Sequence, residues 1–280
     1  GEANTFVGSL CGDATDDGVD NVAVGKAALS ANCGDGNTAI GHGSLLLCTG
    51  GFNTAVGISS GDAITSGGYN ALFGQNAGTA VTEGVRNVCI GDRSGVNITT
   101  GDDNIMIGQN NSASAVGADR NIVMGFEVTG VGANNFTFGQ GATDSNIAFG
   151  ATSISAPSDI RLKEDIQDEE VGLDFINDLR PVTFQWKKEK DIPIELDAYK
   201  EGSEKRTMNG KYNHGFIAQE VKETIDNYTL KDGFNMWEES EADGRQRVSP
   251  SALVPILVKA IQEQNALIEA LTARIVTLEG

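Results

Sequence analysis

Proline does not occur before Pro157 in this 280-residue chain, tryptophan does not occur before Trp186, and only four of the 20 Lys and Arg residues fall within 1–157. Formal charge is −10 over 1–157 (4 basic minus 14 acidic) and −9 over 158–280 (16 minus 25). Neither part offers the basic patch that a phosphate backbone requires, which argues against nucleic acid as a partner. The acidity favours solubility and says little about fold. No apolar run reaches the length of a membrane span, so membrane insertion is not expected. No signal peptide opens the chain, which starts Gly1-Glu2-Ala3-Asn4 inside a repeat and reads as a fragment of something longer. The four cysteines, Cys11, Cys33, Cys48 and Cys89, lack metal-ligand spacing, and no metal or cofactor is expected. They read as small buried apolar residues. Cys33 and Cys48, near equivalent points of neighbouring repeats, are the best disulfide pair, which a cytosolic assembly route would keep reduced.

What the first part has is glycine, 29 of the 36, and a repeated pattern Asn-x-x-apolar-Gly. It runs through Asn4–Gly8, Asn21–Gly25, Asn37–Gly41, Asn53–Gly57, Asn70–Gly74, Asn87–Gly91, Asn104–Gly108, Asn121–Gly125, Asn135–Gly139 and Asn146–Gly150. Successive Asn residues are 17, 16, 16, 17, 17, 17, 17, 14 and 11 apart. A fixed period of this size implies stacked repeats. Gly18, Gly34, Gly50, Gly67, Gly84 and Gly101 each stand three before the Asn. Gly and Asn tolerate positive φ and so mark corners. Between them lie β-favouring triplets such as Val22-Ala23-Val24 and Ile105-Met106-Ile107. The period suits a coil of two short strands and two turns. Coils spaced about 4.8 Å apart would give ten of them a length of roughly 45 Å. With Ala23, Ala39 and Ala55 between the flanking apolars, such a coil has little interior of its own, and oligomerisation is the natural remedy. Calcium-binding rolls and ice-binding Thr arrays fit poorly: no Gly-Gly-x-Gly-x-Asp run occurs, and Thr follows the Asn only at Thr5, Thr38 and Thr54.

Asn37-Thr-Ala-Ile-Gly41 and Asn53-Thr-Ala-Val-Gly57 resemble the head repeats of trimeric autotransporter adhesins and the related β-roll repeats of phage tail fibres. The resemblance implies three chains, with the apolar side of each motif facing the threefold axis. The short spacings at the end, 14 and 11, mark a tapered or transitional base.

Composition changes sharply at Ala156-Pro157-Ser158. Beyond it, Leu173, Ile176 and Leu179 have helical spacing, Pro181 ends that helix, and Val182, Phe184 and Trp186 alternate as a strand. Lys187–Lys211 is charged and aperiodic, an exposed loop or β excursion. Tyr212–Val221 reads as a short strand entering a helix. From Ser249 a heptad begins. Val254, Ile261, Ile268 and Ile275 take one seam position, and Leu257, Gln264, Leu271 and Leu278 take the other. Ile at one position with Leu at the other favours two strands, which a trimer imposed by the rest of the chain can override. The fold class is therefore multidomain: a β-roll or β-helix of 16–17-residue repeats over 1–157, a small α+β domain over 158–248, and a coiled-coil helix over 249–280.

The Ser158-Asp-Ile-Arg-Leu-Lys163 start, the Gly215-Phe-Ile-Ala-Gln-Glu-Val221 block and the Leu253-Val-Pro-Ile-Leu-Val-Lys-Ala-Ile-Gln-Glu263 helix resemble, in order, the intramolecular chaperone of phage tailspikes and tail fibres, the endosialidase-type domain of the peptidase S74 family. The resemblance implies a chaperone that drives homotrimer folding and then cuts the chain at Pro157–Ser158, with Ser158 and Lys163 as a dyad. It also implies a virion fibre assembled in the host cytoplasm, with upstream fibre or baseplate proteins and a host surface receptor as partners.

A Ser hydroxyl needs a base, and a Lys is a base only once burial or a neighbouring cation lowers its pKa. Five residues apart, the two share neither a helix face nor a strand face. Ser158 is therefore expected in a non-helical lead-in with Lys163 on the following element, the site being completed when chains pack together. The Ser158 oxygen can attack the Pro157 carbonyl directly, leaving an ester for water; attack from another chain is the other route. His214 is either a structural residue at a strand end or an accessory group that orients the site or binds the oxyanion, with Asn213 and Gln219 as weaker accessories. Asp159 and Arg161 are expected to support the fold. Other readings are a bacterial trimeric adhesin, a permanent non-cleaving trimer cap, a polysaccharide hydrolase, for which the turn acids lie too irregularly, and a membrane-tethered transcription factor, for which the basic domain is missing.

Overall fold

The computed structural model describes residues 1–230, 233–241 and 243–279. They form two compact units, 1–164 and 165–280.

The first unit is a β-solenoid. Each Asn-x-x-apolar-Gly motif contributes one three-residue strand in the first seven coils: β1 Thr5–Val7, β2 Val22–Val24, β3 Thr38–Ile40, β4 Thr54–Val56, β5 Ala71–Phe73, β6 Val88–Ile90 and β7 Ile105–Ile107. The longer β8 Asn121–Phe126, β9 Asn135–Gln140 and β10 Thr143–Ala148 complete a ten-stranded sheet in sequence order. Each coil therefore carries one strand, not the two expected; the rest of the period is spent on turns. Pairing is parallel and in register from β1 to β9. The tenth motif departs from the stack. An 11-residue spacing is too short for a coil, so β10 folds back antiparallel on β9, with Asn146 opposite Thr137.

The middle residue of each triplet points inward and the outer two point out, as strand alternation dictates. Ala23, Ala39, Ala55, Leu72, Cys89, Met106 and Val123 are fully buried and meet Leu29, Leu45, Ile64, Val81 and Ile98 from the opposite wall. The coil thus has a continuous core of its own, which corrects the expectation of little interior: large residues on the turn side fill the space the alanines leave. Flanking Val22, Val24, Ile40, Phe73, Ile90 and Met124 remain 37–43% exposed and form an apolar stripe on the outer face of the sheet. All four cysteines are free thiols. Burial pushes the Cys48 and Cys89 thiols up to about 12, keeping them neutral.

The landmark residues act in ways the corner reading did not foresee. The closing glycine does take positive φ; at Gly57, φ is +141° and a Cβ would lie 2.3 Å from the Gly74 carbonyl oxygen. The glycine three before the Asn is there for close approach instead: a Cβ on Gly50 would sit 2.0 Å from the Gly67 oxygen. The Asn is a buried rung. Asn37 N–H donates to Asn21 Oδ1 at 2.7 Å, and the same bond repeats from Asn53, Asn70, Asn87, Asn104 and Asn121 to the preceding rung. The amide hydrogens of Asn37, Asn53, Asn70, Asn87 and Asn104 reach the next coil, as from Asn70 Nδ2 to Gly84 O at 2.9 Å, whereas the buried Asn21 Nδ2 has no partner among the described residues.

The second unit is a small α+β fold. It contains α1 Leu173–Asp178, β11 Val182–Phe184, β12 Asn213–Gly215, α2 Ala218–Asp226, β13 Trp237–Glu239, β14 Gln246–Val248 and α3 Leu253–Glu279. β11 pairs antiparallel with β12, and β13 with β14. The β13–β14 hairpin was not foreseen, and Trp186 falls outside β11. The core gathers Phe175, Leu179, Val221, Met236, Leu253 and Ile256. Phe175 is its centre, edge-on to Tyr228 and Phe234 at 5.1 and 5.9 Å.

The Lys187–Lys211 stretch is an ordered excursion, closed by a bridge between Lys188 and Arg206. Its mostly buried Glu189 accepts from Ser203 Oγ at 2.7 Å and Lys200 Nζ at 3.1 Å. On α3, Leu253, Ile256 and Ala260 face the core, while the heptad positions Val254, Leu257, Ile261, Gln264, Ile268, Leu271, Ile275 and Leu278 are exposed.

Candidate functional site

The last ladder bond before the compositional boundary joins Ser155 to Asn146, each N–H donating to the other's carbonyl at 2.8 Å. Ala156, Pro157 and Ser158 follow with exposed side chains. Ser158 lies in the non-helical lead-in. Asp159 then caps a short 3-10 turn over Ile160–Leu162, its Oδ1 accepting the Arg161 N–H at 2.9 Å. The Arg161 guanidinium returns to both carboxylate oxygens, at 3.0 and 2.6 Å, and holds the Asp159 carboxyl below the usual carboxylate range. Lys163 closes the turn in extended conformation, its N–H donating to Ile160 O at 3.1 Å.

This single turn brings the two ends together. Lys163 Nζ donates to Ser158 Oγ at 2.7 Å. A 3-10 turn advances three residues per revolution. One such turn flanked by an extended residue on either side reconciles the five-residue offset with contact. Asp159 and Arg161 brace the turn from within. Both Ser158 and Lys163 are exposed, as is every side chain from 151 to 170. An ammonium that donates to the hydroxyl cannot at the same time take its proton. The contact fixes position, and conversion of the lysine to a base requires water to be excluded.

The three residues expected as accessories lie in the second unit. His214 sits on β12 opposite Thr183 and is exposed. Asn213 Nδ2 donates to Asn209 Oδ1 at 3.2 Å and Lys211 O at 3.0 Å, fastening the end of the excursion. Gln219 is exposed in the first turn of α2. Neighbouring Glu220 pairs with Arg180, whose Nε lies 2.9 Å from Oε2. Among the described residues, no group of three His, Cys, Asp or Glu could hold a metal ion, and no helix is long and apolar enough to cross a membrane.

A family model described as Peptidase_S74, chaperone of endosialidase, matches residues 158–230. Over these residues the chain is similar to the endosialidase-chaperone family. The match begins on Ser158 itself and ends at Leu230, before α3. No curated protein and no solved structure matches the chain. The chain therefore joins a β-solenoid to an α+β region that matches this family's model over part of its length.

Proposed function

We propose that this chain is a fibre or tailspike segment of a phage virion whose chaperone domain drives assembly of three copies and then cuts the Pro157–Ser158 bond with Ser158 and Lys163. The observation that carries the reading is the 2.7 Å contact between Lys163 Nζ and Ser158 Oγ, on the first residue of the family match and beside the bond to be cut. Neutral Lys163 takes the hydroxyl proton as Oγ attacks the Pro157 carbonyl carbon. The C–N bond breaks, the proton passes to the departing Ser158 nitrogen, and an ester joins Pro157 to Ser158 Oγ. Water then adds to the ester, leaving a Pro157 carboxylate and a free Ser158.

Two apolar surfaces support assembly. One is the outer stripe of the solenoid sheet; the other is the exposed heptad seam of α3. Stripes of this extent on a monomer mark an interface. Exposure of Ser158 and Lys163 in the single chain supports a gate: packing of chains supplies the desolvation that the lysine needs. His214 is assigned an accessory role, orienting the site or binding the oxyanion, with Asn213 and Gln219 in support. Upstream fibre or baseplate proteins and a host surface receptor complete the expected partners.

The test is intact mass under denaturing conditions, with native mass in parallel, for the wild type, Ser158→Ala and Lys163→Ala. The wild type is expected to yield a fragment starting at Ser158, while both variants stay whole and trimeric. If all three remain whole trimers, the domain is a permanent trimerisation cap and the protease reading is wrong.

A further inference from the structure

Two surfaces of the second unit are chemically complementary. The first begins with the run Asp165–Glu170, which holds four acids and no base. Its end borders a groove of about 560 Å³, rimmed by Asp168, Glu169 and Glu170 and floored by Val171, Phe234 and Pro255. The rim is anchored: Glu169 Oε1 accepts the Val171 N–H at 2.9 Å. The second is Lys205–Tyr212, at the far end of the excursion, which holds Lys205, Arg206 and Lys211 and no acid. Met208 and Tyr212 project from it, 67% and 72% exposed. This segment is also held in place. Thr207 donates from both N–H and Oγ1 to Lys187 O, at 3.0 and 2.9 Å, and Arg206 donates to Trp186 O at 2.6 Å.

An acidic rim around an apolar floor matches a basic segment that presents a Met and a Tyr. The 205–212 segment does not line the groove of its own chain. We propose that Lys205–Tyr212 of one copy seats in the acidic groove of the next copy, Met208 on the apolar floor and the lysines against Asp168 and Glu170. The contact joins unlike surfaces, so it is heterologous, and it closes only if the copies form a ring. It rests on the assembly reading above, in which the ring has three members. Each copy then gives one segment and receives one, with neither surface left open. The charged rim guides which copy meets which and fixes register.

The test uses the full chain with Met208→Cys and Thr229→Cys, both at exposed positions, the latter on the groove wall. The second unit has no native cysteine. After mild oxidation at low protein concentration, the expected product is an inter-chain disulfide ladder ending in a covalent trimer, absent from either single variant. Adding Asp168→Lys and Glu170→Lys should abolish the ladder, and adding Lys205→Glu and Lys211→Glu to those should restore it. The yield should also fall in 1 M salt, where the screening length is about 3 Å. Native mass of the reduced samples separates the two failures. A trimer with no inter-chain disulfide overturns the docking alone, whereas a monomer overturns the assembly reading and the docking with it.

Discussion

A polar side chain inside a stacked coil has to find its partners among its own repeats, because water cannot reach it. The Asn ladder does this with a single residue type. Asn70 accepts at Oδ1 from the Asn87 N–H at 2.9 Å and donates from Nδ2 to Gly84 O and Asn53 Oδ1. Asn70→Ala strands the Asn87 N–H and the Gly84 carbonyl, each at about 1–3 kcal/mol. The expected result is a clear drop in the urea midpoint of the solenoid; an unchanged midpoint would show that the rung is dispensable. Asp is no substitute, since its carboxylate keeps the acceptor and loses the donor. The periodic Asn positions were visible in the sequence, but their role was not. Spacing marks where a residue recurs, and Asn suits both a left-handed corner and a buried rung. Only the burial of Asn21 through Asn121 separates the two. The same limit explains the glycines. A position that needs positive φ and one that needs room for the next coil's carbonyl carry the same letter.

Short elements decide how this chain presents its candidate chemistry. The Ser158-to-Lys163 offset excluded a helix face and a strand face, and that exclusion held; the 3-10 turn that satisfies the offset is too short to leave a periodic signature. Its cap, Asp159, and the returning Arg161 were legible as supporting residues. The lock between α1 and α3 was not legible, because it joins residues 90 apart. Glu263 Oε2 accepts the Leu173 N–H at 2.8 Å, and Gly172 makes room for it: a Cβ there would lie 2.4 Å from that oxygen. Gly172→Ala should push the carboxylate off the helix end, and Glu263→Ala should remove it outright. Each is expected to cost about 1 kcal/mol, the partial exposure of Glu263 keeping the figure low. Because both remove one interaction, the double variant should cost little more than either single one in thermal or urea unfolding. Additive losses would mean that Gly172 is required for its backbone and not for this contact. The heptad of α3 was readable because 27 helical residues repeat the pattern often enough to reveal it. What it could not reveal is that Leu253, Ile256 and Ala260 turn a different face to the domain core.

For the molecule as a whole, the decisive contrast lies between two neighbours on β5. Leu72 is fully buried in the coil's own core, and Phe73 is 41% exposed on the outer stripe. The sequence presents them as one apolar pair; strand alternation sends one to each side. Leu72→Ala opens a cavity within a single chain and should cost about 2–5 kcal/mol, lowering the unfolding temperature whatever the state of assembly. Phe73→Asp removes no internal contact of comparable weight. Under the proposed assembly it sets three carboxylates against a surface that would otherwise be dry, where an unpaired charge is very costly. Its expected signature is a folded chain, with the β-sheet circular dichroism of the wild type, that runs as a monomer in native mass. If packing between chains gates the chemistry, that monomer should also leave Pro157–Ser158 uncut while Ser158 and Lys163 are both intact. A monomeric Phe73→Asp chain that cleaved at the wild-type rate would separate assembly from processing and place the desolvation of Lys163 within one chain. A trimer of undiminished population would remove the outer stripe from the interface and leave the α3 seam as the surface on which the copies meet.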